Sequence, residues 1–331
     1  MRSYQTFNYP NAEEGSKTLL TGIRAVENSK NKVYISGFYE PPTDSSDPVI
    51  SFVYKGCPHG NGSFYSLDYP SEDGLTVVTT NLYGPNNGSN KYNIHNNTLQ
   101  VVGNYTTVES GSSTIGCLYE GQINGEGIWT TIIPSPLTSS PILNTICHSN
   151  MGGLVVGNYD TILIQGQAFI YDIKRRHYYN ITKAGAKSIT AYGIWYNANG
   201  TYTICGSYSN LDPVTGVTSG YLVDWDNKFK LLSNWREYSY GNNPVNAIVT
   251  HFDGITSDDK GGFYLTGDSV DIKQKSIAFF AHVNNKHEAK WSEIEYPNSI
   301  GTSGNTVLQT MVLGVYAIDG SETVNGYISF T

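Results

Sequence analysis

The sequence predicts an all-β fold: one domain spanning residues 1–331, a six-bladed β-propeller of four-stranded blades. Three observations predict it. An apolar run ending in Gly, a small residue and usually Tyr recurs six times. Each copy is preceded by one strand and, in all units but the last, followed by two further apolar runs, which makes a unit of four short strands. The last unit lacks its fourth strand, and a matching strand stands at the other end of the chain.

The recurring pattern is anchored on Gly37, Gly103, Gly157 and Gly206, with looser copies at Gly267 and Gly314. Clear copies are Leu99-Gln-Val-Val-Gly103-Asn-Tyr105 and Tyr202-Thr-Ile-Cys-Gly206-Ser-Tyr208. The next apolar run of each unit includes Ile50–Tyr54, Ala168–Tyr171 and Ala278–Ala281. The run after that often ends in Pro, as in Phe64–Pro70 and Trp291–Pro297. Upstream of each anchor lies one more strand, with Asn90, Asn144, Gly193, Gly254 and Gly301 about thirteen residues before it and Gly22 two further off. Residue types that tolerate positive φ predict a bulge there. Units of about 55 residues with four strands each suit a propeller. Two stacked β-sandwiches are the alternative, which would not require six equivalent copies.

Unit six ends after its third run, Gly326–Phe330, while Tyr4-Gln-Thr-Phe-Asn-Tyr-Pro10 matches the Tyr-Pro-ending fourth strands. The N-terminal strand is therefore expected to complete the last blade and remove the open edge. The Tyr residues are expected to pack mostly between blades.

Composition agrees. The chain has 35 Gly and 26 Tyr, and only 15% of its residues are charged, which disfavours long exposed helices. A net charge of -8 without a basic run excludes a nucleic-acid partner. No apolar stretch is long enough for a membrane-spanning helix, so no membrane partner is expected. The first residues show no leader, which points to the cytoplasm if they are native and to secretion if a leader was removed. Cys57, Cys117, Cys147 and Cys205 lack metal-ligand spacing and read as free thiols. A monomer is expected.

The repeats resemble the short Gly-Ile…Gly-x-Tyr repeats of bacterial β-propeller-type proteins. Tyr192-Gly-Ile194, Cys205-Gly-Ser-Tyr208 and Gly220-Tyr-Leu222 carry the resemblance. It implies the propeller fold and no particular chemistry. Kelch, Trp-Asp and Asp-box signatures are missing.

Function must then be sought where the repeat breaks. Two long insertions are expected, Ser71–Ser89 in blade 2 and Arg236–Val249 in blade 5, and a single site at the channel mouth is expected under them. Loop residues differ in every blade, which argues against six equivalent sugar sites. His251 and Asp253 lie two apart and so face one side of a strand, suiting a carboxylate-supported general base. Tyr192 holds the position equivalent to Asp253 in blade 4 and joins them as a catalytic candidate. Arg236, Glu237, Tyr238, Tyr240 and Asp268 are the substrate-binding candidates, offering a guanidinium, carboxylates and stacking faces. Each has a structural alternative: a His–Asp pair satisfying itself at a strand end, a solvated Arg236–Glu237 pair, inter-blade tyrosines, and an inter-blade ring of Asn104, Asn158 and Asp268. No cofactor is expected beyond the alternative of Ca²⁺ held in the channel by such oxygens. The expected partner is a small molecule or glycan, acted on by acid–base chemistry. The alternative is a non-catalytic module binding a glycan or a protein.

Overall fold

The computed structural model describes residues 2–72, 74–87, 98–135, 139–210 and 217–330 and is built almost wholly of strands. After β1 (Ser3–Thr6), blade 1 comprises β2 (Lys17–Ala25), β3 (Val33–Glu40), β4 (Ile50–Cys57) and β5 (Gly60–Ser66). Blade 2 comprises β6 (Val77–Asn87), β7 (Leu99–Thr107), β8 (Ile115–Gly121) and β9 (Gly127–Ile132). Blade 3 follows with β10 (Ile142–Met151), β11 (Leu154–Thr161), β12 (Gln167–Asp172) and β13 (His177–Ile181). In blade 4 the inner strand is split into β14 (Ser188–Ile189) and β15 (Gly193–Tyr196), ahead of β16 (Thr201–Ser209), β17 (Thr218–Asp226) and β18 (Leu231–Tyr238). Blade 5 holds β19 (Ala247–Ser257), β20 (Phe263–Asp271), β21 (Ser276–Val283) and β22 (Ala289–Ile294). Blade 6 has a second split inner strand, β23 (Gly301–Thr302) and β24 (Thr306–Leu308), then β25 (Met311–Ala317) and β26 (Val324–Phe330).

Within each blade the strands pair antiparallel in chain order. The inner strands form a closed circle: β2 packs on β6, β6 on β10, β10 on β15, β15 on β19, β19 on β24, and β24 on β2. Single parallel pairings, Lys17 with Val324 and Thr218 with Val249, stitch blade 6 to blade 1 and blade 4 to blade 5. The second and third strands are covered on both sides by neighbouring blades. That is why β3 is buried along nearly its whole length and β12 along all of it, and why these strands read as unbroken apolar runs.

The repeated glycines have a steric cause. A Cβ on any of the six anchors would lie 1.8–2.2 Å from a carbonyl oxygen of the inner strand, that of Leu19, Asn81, Ile146, Thr190, His251 or Ser303 in turn. On the other side, five anchors pair with an aromatic residue, Phe52, Phe169, Tyr221, Phe279 or Tyr327, and Gly103 pairs with Cys117. Only Gly leaves room for both neighbours.

The Tyr-Pro ends have a matching role. Tyr9, Tyr69 and Tyr296 each follow the outer strand of one blade and stack on a second-strand tyrosine of the next: Tyr39 at 5.0 Å, Tyr105 at 3.9 Å and Tyr316 at 3.6 Å between centroids. Offset aromatic stacking of this kind adds about 0.5–1.5 kcal/mol per pair beyond area burial.

The ring closes as the termini predict. β1 pairs antiparallel with β26, from Ser3 with Phe330 to Thr6 with Tyr327. Phe7 continues the ladder through a hydrogen bond from its N–H to the Gly326 carbonyl, 2.8 Å, and its ring is buried edge-on against Tyr54 of blade 1.

Three sequence expectations change. The described part of the proposed insertion 71–89 is largely β6, the inner strand of blade 2, while 88–97, including Ser89 and Asn90, lies outside the described residues. The proposed insertion Arg236–Val249 divides among the end of β18, a short connection with a 3-10 turn at Tyr240–Asn242, and the start of β19. Counting back from the anchors locates the shared inner-strand irregularity at Gly22, Gly193 and Gly254; at Asn144 it meets a separate register shift near the start of β10, and at Gly301 it falls short of the break before β24. In those two blades the shared irregularity lies at Ser149 and Thr306, because the first hairpins differ in length between blades. Nor is positive φ the reason for glycine there, since Gly22, Gly193 and Gly254 have none. The inner strands simply converge: a Cβ on Gly22 would lie 2.2 Å from the Tyr83 carbonyl oxygen of the next blade.

Candidate functional site

All six inner strands are irregular at one shared height, and β6, β10 and β19 carry a second register shift near their start. The ladder shifts register between Leu20 and Gly22, Leu82 and Pro85, Cys147 and Ser149, and Phe252 and Gly254, and it breaks outright before β15 and before β24. A bulged residue is released from pairing and its side chain is re-aimed. The residues at these six points are Thr21, Tyr83, His148, Tyr192, Asp253 and Asn305, one per blade, and all line a cavity of about 230 Å³ at the mouth of the channel. Leu19, Phe38 and Asp268 complete its wall. The fold thus repeats one backbone device six times and varies the side chain it presents.

The wall is divided. Blade 1 contributes the apolar Leu19 and Phe38. Blades 2 to 4 contribute a continuous aromatic face: Tyr83 meets His148 edge-on at 5.3 Å, and His148 stacks on Tyr192 at 3.8 Å. Blade 5 contributes two carboxylates. Asp253 accepts a hydrogen bond from His251 Nδ1 at 2.9 Å, and its second oxygen is buried without a protein partner. Asp268 stands opposite His251 across β19 and β20, and its Oδ1 is likewise buried and unpartnered. His148 Nε2 is a third such atom. Buried polar atoms without partners are rare in folded proteins, and here three face one cavity.

Environment separates the titrations. Burial, then the charge of Asp253, raises Asp268 to about 7, so it holds its proton near neutral pH. Burial works against a charge on His251, yet Asp253 beside it and Asp268 across the ladder outweigh that and raise its pKa. The contact with Asp253 therefore favours the imidazolium form of His251. Burial and the neighbouring His251 charge lower His148 to about 3 and keep it neutral. Burial and the Asp253 carboxylate push the Tyr192 phenol up, so it remains a donor.

The structure brings His251, Asp253, Tyr192 and Asp268 together, but not in the arrangement expected. Asp253, Asp268 and Tyr192 line the cavity. His251 sits behind them, its Nε2 3.4 Å from Thr190 Oγ1 and its ring edge-on to Tyr192 at 4.2 Å. It bonds Asp253 and does not itself line the cavity. The remaining candidates lie away from the axis. Arg236 pairs with Asp224 on the adjacent strand, and Glu237 pairs with Lys183 and hydrogen-bonds Tyr208. Tyr238 packs on Phe252, and Tyr240 on Phe279 and Trp291, within the blade 5 core. These four belong to the outer strand of blade 4 and the connection after it. Asn104 and Ser207 bond the inner-strand residue of their own blade, Asn81 and Thr190, rather than forming an inter-blade ring. Among the described residues no three His, Cys, Asp or Glu side chains gather as a metal-ligand set.

Thr21, Tyr83, His148 and Asn305 escape the sequence reading. The signal that could locate them is positional, the residue just before the inner-strand Gly22, Gly84, Ser149 or Thr306, but unequal hairpins hide that register. Arg24 escapes it too. Its side chain crosses the channel below the cavity from blade 1, donating to the Ile194 carbonyl of blade 4 at 3.2 Å and lying 5.6 Å from the Trp195 ring. A larger groove of about 470 Å³ opens between blades 3 and 4 at the hairpin turns of Gly152-Gly153 and Gly200. Its buried Asp172 is already tied by Arg175 and Lys230, and it offers no comparable set of free groups.

No family model and no curated protein matches the chain. Solved structures do. The chain is similar to the GH93 alpha-L-arabinofuranosidase of Fusarium graminearum in complex with arabinobiose, with a TM-score of 0.53 at 10% identity over 99% of this chain and 96% of that one. It is also similar to the Penicillium chrysogenum alpha-L-arabinanase complexed with arabinobiose, with a TM-score of 0.55 at 14% identity over 94% and 92%. At these identities the likeness is one of fold, and the fold is a β-propeller.

Proposed function

We propose that the chain is a single-site, carbohydrate-directed propeller that cleaves a small glycan in the channel-mouth pocket by acid–base chemistry. The observation that carries this reading is the pair of carboxylates on one wall in unlike settings, Asp253 bonded to His251 and Asp268 raised by burial and by the charge of Asp253. Two carboxyl groups in unlike environments, one protonated and one ionised, are what glycosidic bond cleavage requires. Asp268 is the proton donor to the leaving oxygen. Asp253, held in place by His251, is the base, nucleophile or charge stabiliser. The aromatic face of Tyr83, His148 and Tyr192 supports a sugar ring, and Asn305 and the Tyr192 hydroxyl supply hydrogen bonds. A cavity of 230 Å³ falls below the roughly 300–1,000 Å³ of drug-sized sites, which suits one ring rather than a chain segment. That the arabinofuranosidase and the arabinanase were solved with arabinobiose makes pentose oligosaccharides the first substrates to try.

The test is a turnover and calorimetry screen over arabinobiose, related oligosaccharides and aryl glycosides. Turnover is expected with at least one. Asp268→Asn and Asp253→Asn are each expected to lower kcat by about 10²-fold or more while ligand binding persists. If no glycan is bound or turned over, the reading fails. Binding without turnover in the wild type favours the non-catalytic module, for which the aromatic face speaks independently of the carboxylates. Tyr238→Ala and Tyr240→Ala do not discriminate, because both side chains are packed in the blade 5 core.

A further inference from the structure

Below the pocket the channel narrows to a second cavity of about 20 Å³, walled by the inner strands of all six blades. Arg24 lines it. Its side chain is only 8% exposed. The guanidinium donates to the carbonyls of Ile23 and Ile194 at 3.2 Å, and Ser149 Oγ lies 3.5 Å away. Nε is buried with no protein acceptor. Among the described residues no carboxylate lies within ion-pairing distance of Arg24, although eight other ion pairs occur. Burial lowers its pKa only to about 10, so it is charged at neutral pH. A buried charge without a partner is costly, and proteins ordinarily supply a counter-charge.

We propose that this lower cavity is a binding site for a monovalent anion of chloride size, held by Arg24 with Ser149. Three features favour it over a purely structural arginine. The cavity exceeds the roughly 10–15 Å³ needed for one water and is too small for a phosphate or a sugar carboxylate. The donors around it, the guanidinium N–H groups and the Ser149 hydroxyl, come from blades 1 and 3 and converge on the axis. Asp253 also borders the cavity, but His251 answers its charge at 2.9 Å, so the pair leaves the arginine uncompensated. An ion there neutralises the charge that bolts blade 1 to blades 3 and 4, and so stabilises the ring from its centre. Thr21, His148, Tyr192 and Asp253 border both this cavity and the pocket above, while Arg24 and Ser149 border this one alone.

Crystals grown or soaked in sodium bromide test it directly. One anomalous bromide peak is expected within hydrogen-bonding reach of the Arg24 guanidinium. In solution, the melting midpoint is expected to rise with chloride at constant ionic strength, gluconate making up the balance. Above saturation the slope is about 2 °C per tenfold. Arg24→Met is expected to lose that dependence, and Ser149→Ala, which keeps the arginine and the fold, to shift it to higher chloride. No bromide at Arg24, or a wild-type midpoint that does not distinguish chloride from gluconate, overturns the proposal and leaves water as the occupant.

Discussion

Deletion of residues 2–10 is expected to lower the melting midpoint by roughly 5–10 °C and to broaden the transition. The deletion removes more than an edge strand. It takes away the β1–β26 ladder, the buried Phe7 ring and the stack of Tyr9 on Tyr39, which joins blade 6 to blade 1. Losing a buried Phe side chain alone costs about 3–5 kcal/mol. The exposed edge of β26 would also become a template for pairing between chains, so light scattering should increase on heating. Phe7→Ala separates the contributions: it keeps the ladder and should give about half of the loss. A truncated chain that melts at the wild-type midpoint would mean that the ring is held shut by β2–β26 and inner-strand contacts alone.

That closure was legible because it rests on a pattern the whole chain repeats. The anchors repeat for a steric reason, the clash any side chain would make with the inner strand's carbonyl, so Gly recurs even where its neighbours diverge, as at Gly267 and Gly314. Tyr-Pro ends recur because the same stack is made between successive blades. Register is set by such contacts and survives substitution elsewhere.

The site was only half legible for the same reason in reverse. The candidate site occupies the bulge that all six inner strands share, so no shared residue type marks it: Thr, Tyr, His, Tyr, Asp and Asn stand at equivalent places. Tyr192 and Asp253 could be matched because blades 4 and 5 have first hairpins of equal length. Tyr83, His148 and Asn305 could not, because theirs differ. Arg236 to Tyr240 attracted notice as a dense polar and aromatic stretch. Density of useful side chains along the chain says nothing about distance from the axis, and an outer strand puts them at the rim. Arg24 was hidden differently. In a strand, a lone arginine reads as surface, and only the ring places it across a channel.

Asp268→Asn is expected to make the protein more stable above pH 7 while abolishing activity at the pocket. The sign follows from linkage. In the folded chain Asp268 keeps its proton to about pH 7, whereas in the unfolded chain it loses it near 3.8. Between these values the folded state binds a proton that the unfolded state does not, so stability falls as pH rises and levels off above about 7. Asparagine has the same shape and no charge to desolvate beside Asp253, which removes that cost. The gain should be near zero at pH 4 and reach about 2–4 kcal/mol at pH 8, or roughly 3–6 °C. His251 contributes in the same direction, since its raised pKa stabilises the fold below about 6.5 and ceases to do so as pH passes its folded value. Urea titrations of wild type and variant at pH 4, 6 and 8 measure the difference. A carboxylate kept for packing would give the opposite result, a variant weaker at every pH. Stability gained and chemistry lost at one residue is the signature of a group held in an unfavourable state because the reaction needs it there.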